Sequence, residues 1–168
     1  MKKIYFSLTS LFLIFSACQP SVKEAIAYNE EIVSHHEDVD KKIAFLIDTY
    51  DNYLPVEMDS AYQVALKAAL EGIDFASNLK PFHKDDSYRK AVLELFKLYK
   101  SVIEVEHARI IELLKLPPEQ YQQKQIDEFD QLKDSADKKV IKKIDEVYAV
   151  QVEFAKKFNF TLEDDVEE

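Results

Sequence analysis

The residues with the most capacity for chemistry lie in Glu104-Val105-Glu106-His107. On a helix, a Glu-x-x-His spacing aims a carboxylate and an imidazole the same way, as in bundles that hold two irons. Such centres need a second pair and bridging carboxylates from other helices, and the chain has no second Glu-x-x-His. The nearest substitutes are Glu31 with His35 and His36 with Asp40, each at i, i+4. Counting through turns near Pro55 and Phe82 sets His36 beside about residue 76, and that level beside about residue 89. His107 then lies roughly 18 residues, or ~27 Å, away, so the two histidine groups do not share a centre. A local site is the remaining metal reading. Reflection through the turn at Pro117 sets His107 level with Asp127 and Glu104 level with Asp130, with Glu128 between. One imidazole and several carboxylates suit a hard or borderline divalent ion. The competing reading makes these residues solvated flanks of an apolar stripe, with His107 covering the Ile103/Ile111 edge. His35 and His36 read either as a pH-sensitive surface pair or as simply exposed.

Composition narrows the rest. The chain has 168 residues, one Gly, one Cys and no Trp, with 22 Lys+Arg against 32 Asp+Glu. That length suits one domain, and it buries enough surface to need no disulfide or structural metal. A single Gly removes phosphate cradles, dinucleotide turns and nucleophile elbows, all of which need several glycines at fixed spacing. A formal charge of −10 argues against nucleic acid, whose phosphates it would repel. A Ser-His-Asp set can be assembled only from isolated residues, so the expectation is a protein that is not an enzyme.

The elements follow from the apolar spacing. Residues 1–17 have the layout of a cleaved secretory leader: Lys2-Lys3, an apolar run from Ile4 to Phe15, then Ser16-Ala17. That run is too short to span a bilayer. Residues 18–20 are a short tether, and its start is the only Cys, Cys18. Losing Lys2 and Lys3 leaves a still more acidic body, which should stand off anionic headgroups. From 21 to 160 a period near 3.6 predicts an all-α protein, an antiparallel up-down-up-down four-helix bundle. Ser21-Val22-Lys23-Glu24 fits a capping box, and the first stripe runs through Ile32, Val39, Ile43, Leu46, Tyr50 and Leu54 to a stop before Pro55. Ser60 to Gln63 fits a second box, opening a stripe of Tyr62, Leu66, Ala69/Leu70, Ile73, Ala76 and Leu79. Gly72 inside it implies a close backbone approach. Lys80 to Ser87 is the clearest break. The third stripe is Tyr88, Val92, Leu95, Tyr99, Val102/Ile103, Ile110 and Leu113/Leu114. Leu116-Pro117-Pro118 ends it, with Pro118 fit for the next first turn. The fourth runs from Ile126 through Phe129, Leu132, Ala136, Val140, Ile144 and Val147/Tyr148 to Phe158, leaving 161–168 as a frayed acidic tail.

Eight Tyr recur near these stripes, as packing residues with hydroxyls at the rim. A sharper reading gathers Tyr50, Tyr53, Leu54, Val56 and Met58 into an exposed partner-binding patch at the first helix–helix turn. A tether at Cys18 would point that turn away from the membrane.

Phe15-Ser16-Ala17-Cys18 resembles the lipobox of bacterial lipoproteins, with Phe15 where Leu is usual. With the Tyr28-Asn29-Glu30-Glu31-Ile32-Val33 helix and the lack of catalytic motifs, the chain is similar to poorly characterised bacterial envelope or surface lipoproteins with helical-bundle bodies. That resemblance implies diacylglyceryl modification of Cys18 and further acylation, palmitate among the chains. It also implies a place in the cell envelope, at the outer membrane or cell surface more than the inner membrane. The expected partners are the membrane, through the anchor, and an envelope or extracellular protein. No cofactor is expected beyond the covalent lipid. A divalent metal at Glu104, His107, Asp127, Glu128 and Asp130 belongs to the alternative, a metal-binding or oxidative bundle.

Overall fold

The computed structural model describes residues 21–162, so the leader, Cys18 and the last six residues lie outside the described part. Among the described residues the protein is all-α, with no strand beyond one isolated bridge between Phe82 and Asp85. Its four helices are α1 (Val22–Asp51), α2 (Pro55–Asn78), a composite third rod, and a long last helix. The rod comprises α3 (Ser87–Val102), a π-helical turn (Ile103–His107) and α4 (Ala108–Leu114). A 3₁₀ turn (Pro118–Gln120) leads to the last helix, α5 (Gln123–Phe158).

Local chemistry sets most of the ends. Ser21 caps α1 through the expected box: its Oγ accepts from Glu24 N at 3.2 Å, and its own N donates to Glu24 Oε2 at 2.8 Å. α1 stops at Asp51, short of the expected Leu54. Asn52 closes it and Tyr53 turns the chain with φ 50°. α2 begins at Pro55, ahead of the box expected at Ser60 to Gln63. Proline has no N–H to leave unpaired in a first turn, so Pro55 starts the helix and Ser60 lies inside it. Before the third rod, Asp85 accepts from both the backbone N and the Oγ of Ser87. Pro118 opens the 3₁₀ turn instead of the next α-helix. Asn159, left-handed at φ 60°, ends α5, and Phe160 N returns to Ala155 O at 3.1 Å. The tail does not fray at 161, because Leu162 folds back and is buried.

The core face of α2 keeps Ala69 and Ala76 of the expected stripe and otherwise differs from it. Ala61, Ala65, Ala68, Ala69, Gly72 and Ala76 line it, while Tyr62, Leu66 and Ile73 flank it half-buried. Small side chains let the third rod come close, and its large residues fill the space. A Cβ on Gly72 would meet the Phe96 ring at 2.8–3.0 Å, so the close approach is made by a ring and not by backbone. α5 is the least buried helix for its length, with Ala136, Val147, Phe154 and Ala155 as its buried residues. At the end where α1 begins, Phe154 packs within 4.8–6.0 Å of the rings of Tyr28, Phe82, Tyr88, Phe158 and Phe160.

Four seams are marked by cross-helix contacts. His35 stacks on Phe75, and Tyr28 Oη donates to Lys80 O, between α1 and the end of α2. Arg89 Nη1 donates to Ala76 O at 3.0 Å, and Lys115 pairs with Asp59 at 2.5 Å, between α2 and the third rod. Tyr88 meets Phe154 and Arg109 pairs with Glu128 at 2.7 Å, between the rod and α5. Asn29 meets Gln151 and Asp51 meets Lys133, both at 2.8 Å, between α5 and α1.

Candidate functional site

The π-helical turn places two adjacent polar residues, Glu106 and His107, in the interior at 4% and 3% exposure. π-turns widen a helix by one residue per turn and are frequent where a helix carries function. His107 Nδ1 is hydrogen-bonded to the Tyr50 hydroxyl at 3.2 Å, and the two rings lie 5.9 Å apart. Phe129 of α5 closes over Tyr50 edge-on. Burial pushes the His107 imidazole down to about 4, against the raising fields of Glu106 and Asp137. The same burial raises the Tyr50 phenol. Both therefore stay neutral near pH 7. Glu106 is compensated separately: Oε1 accepts from Lys139 Nζ, with Ser135 Oγ at 3.4 Å.

A second histidine–tyrosine pair ties the same helices nearer the middle of α1. His36 Nε2 and Tyr99 Oη are hydrogen-bonded at 2.9 Å. His36 is half-buried, and its pKa is lowered by that burial against Asp40 and Glu37. His35 is exposed and its ring stacks on Phe75 at 3.7 Å. The expected surface pair therefore splits, with one ring on the surface and one bridging to the third rod.

The five residues expected to share a metal are not brought together. Glu104 is exposed and bound by Lys100 at 2.6 Å. His107 is inside with Tyr50. Asp127 accepts from Gln123, Glu128 is held by Arg109, and Asp130 is exposed. Among the described residues no group of three or more His, Cys, Asp or Glu could hold a metal ion. The level matching fails because the connection is longer than a turn at Pro117. The chain bends over Leu116–Gln122, which slides α5 so that Glu106 faces Ser135 and Lys139. The partner patch also breaks up. Tyr50 and Met58 are core residues at 3% and 0% exposure, which leaves Tyr53, Leu54 and Val56 on the surface.

Two features missed in the sequence had a signal there. Glu106 occupies a stripe position between Ile103 and Ile110, where an acid needs a partner. Lys139 sits next to Val140 on the facing helix, within reach of that stripe. Chemically the arrangement holds helices together: every buried side-chain N or O among the described residues has a partner. Fold and site together define an all-α, four-helix protein whose interior polar groups bond to one another. No family model, curated protein or solved structure matches the chain.

Proposed function

We propose that this chain is a lipid-anchored lipoprotein of the bacterial envelope, with a non-enzymatic helical body that binds or organises a partner. The observation that carries the reading is the position of the only Cys, directly after Phe15-Ser16-Ala17 and a basic, then apolar leader. A thiol at that place is the acylation point, and several acyl chains at ~0.8 kcal/mol per buried CH₂ hold such a body at a membrane. No helix among the described residues is long and apolar enough to cross one. The body is arranged up-down-up-down. In support, each of the four seams pairs rising residue numbers on one helix with falling numbers on the next, as with Asp51/Lys133 and Asn29/Gln151. In that arrangement the Ser21 end, with the Phe82 loop, faces the bilayer. The α1–α2 turn with Tyr53, Leu54 and Val56 points away from it. The outer membrane or cell surface is the proposed address.

Growth on labelled palmitate tests the anchor. The wild-type chain should take up label and sediment with membranes, while Cys18→Ser should take up none and be released. An unlabelled wild-type chain in the soluble fraction would overturn the proposal.

A further inference from the structure

The first turns of α1, the end of α2 and the Lys80–His83 loop enclose an open slot of about 790 Å³. Its α1 wall is Glu24, Tyr28 and Glu31. The i, i+4, i+7 spacing puts carboxylate, aromatic ring and carboxylate in line on one face. Seven residues at about 1.5 Å rise separate the two carboxylates by about 10 Å along the helix. Across the slot α2 supplies a third carboxylate, Asp74, beside Phe75, whose ring is held by its stack on His35. Tyr28 is fixed by its hydroxyl on Lys80 O at 3.1 Å and by Phe82, whose ring lies 5.1 Å away.

The charges are unequal. Three carboxylates and one ammonium, Lys80, line the slot, and Lys80 takes part in none of the described ion pairs; His83 and the Tyr28 phenol are its other titratable groups. Glu24 spends one oxygen, Oε2, on the Ser21 cap, and Asp74 accepts one bond from Asn78. Glu31 takes part in none of the described ion pairs. An anion would be repelled here, and a single compact cation would satisfy only one end.

We propose that this slot binds a linear aliphatic diamine or polyamine, laid along α1 with one terminal ammonium at Glu24, the other at Glu31 and Asp74, and its methylene chain over the Tyr28 ring. Charge-assisted hydrogen bonds hold the ends, and the aromatic face takes the apolar stem and attracts the ammonium groups. Lys80 competes for the same carboxylates and limits affinity. The inference gives the binding body a ligand class, and it stands whether or not Cys18 is acylated.

Titration calorimetry on the full chain in detergent, at low salt, tests it with spermidine, whose extended terminal groups are about as far apart as Glu24 and Glu31. Saturable one-to-one binding is expected, about tenfold weaker for 1,4-diaminobutane, which is roughly half as long, and for tetramethylammonium. Glu31→Gln with Asp74→Asn should weaken spermidine at least about tenfold, and Lys80→Gln should strengthen it. The same charge removed at the other end, in Glu57→Gln with Glu119→Gln, should change binding less than about twofold. Melting curves would show each variant folded, and acylation is read separately by the palmitate label. The absence of saturable spermidine binding would overturn the proposal. Equal losses in the two double variants, which mark counterion adsorption to an acidic chain, would also overturn it. So would short and compact cations binding as well as spermidine.

Discussion

Two histidine–tyrosine hydrogen bonds join α1 to the third rod, and they differ in depth. His36–Tyr99 is the shorter, at 2.9 Å, but its imidazole is half-buried, with Asp40 and Glu37 raising its pKa against burial. Tyr50–His107 is longer, at 3.2 Å, and its imidazole is almost wholly enclosed. Glu106 and Asp137 also act on His107, yet Glu106 is paired with Lys139 and burial prevails. Hydrogen-bond length therefore does not rank the two pairs. What ranks them is whether water can replace the partner. A half-exposed imidazole that loses its hydroxyl finds water, whereas an enclosed one is left unsatisfied.

The largest expected effect is acid sensitivity at the deep pair. His107 has a folded pKa of about 4 against an ordinary 6.5. Between those values the unfolded chain binds the proton and the folded chain does not, so stability falls as pH falls from about 6.5 to about 4. A difference near 2.5 pH units at 1.36 kcal/mol each corresponds to about 3 kcal/mol. Urea unfolding at pH 7 and pH 4 should show this loss in the wild type and much less of it in His107→Gln, which keeps a polar partner for Tyr50. Equal acid losses in both proteins would assign the effect to the carboxylates.

Next in size is Tyr50→Phe, which leaves His107 Nδ1 without its partner in the interior. The expected cost is about 2 kcal/mol, within the range for an unsatisfied buried group. Denaturant midpoints at pH 7 measure it. A cost below about 0.5 kcal/mol would mean that water enters the deep pair after all.

Much of the frame that positions these pairs is legible in the sequence. The Ser21 box, the break at Lys80 to Ser87 and the large residues of the third stripe are local signals, and each stands where expected. The pairs themselves are not legible, because their members are 63 and 57 residues apart and meet only once register is set. Register is not legible at Pro117, where the extra 3₁₀ turn slides α5. The π-turn is silent too: Ile103-Glu104-Val105-Glu106-His107 contains neither Gly nor Pro to announce it. On α2 the stripe is legible at Ala69 and Ala76, but close approach puts Ala61, Ala65 and Ala68 in the core and leaves Tyr62, Leu66 and Ile73 at its flanks.

That small-residue face offers a way to disturb one pair and spare the other. In Gly72→Ala the new Cβ would press on the Phe96 ring at 2.8–3.0 Å, and Phe96 precedes Tyr99 by three residues on the same helix face. Crowding of this kind costs about 1–3 kcal/mol, offset by about 1 kcal/mol of better helix propensity. A net loss of about 1 kcal/mol is expected. NMR titration should find the His36 pKa moved and that of His107 unchanged, since His107 is 11 residues further along the rod than Phe96. A shift confined to His107 would mean that strain runs along the rod to the π-turn without disturbing Tyr99.

The smallest effect should come from Tyr99→Phe. The hydroxyl is buried, but the His36 nitrogen it binds belongs to a half-exposed ring that water can serve. The Phe ring keeps the packing against the third stripe, so the cost should stay under about 1 kcal/mol. The comparison with Tyr50→Phe is what matters, because both variants delete one oxygen from a tyrosine bonded to histidine. A cost at Tyr99 equal to that at Tyr50 would show that the shallow pair is as dry as the deep one. Solvent reach to the imidazole would then no longer separate the two pairs.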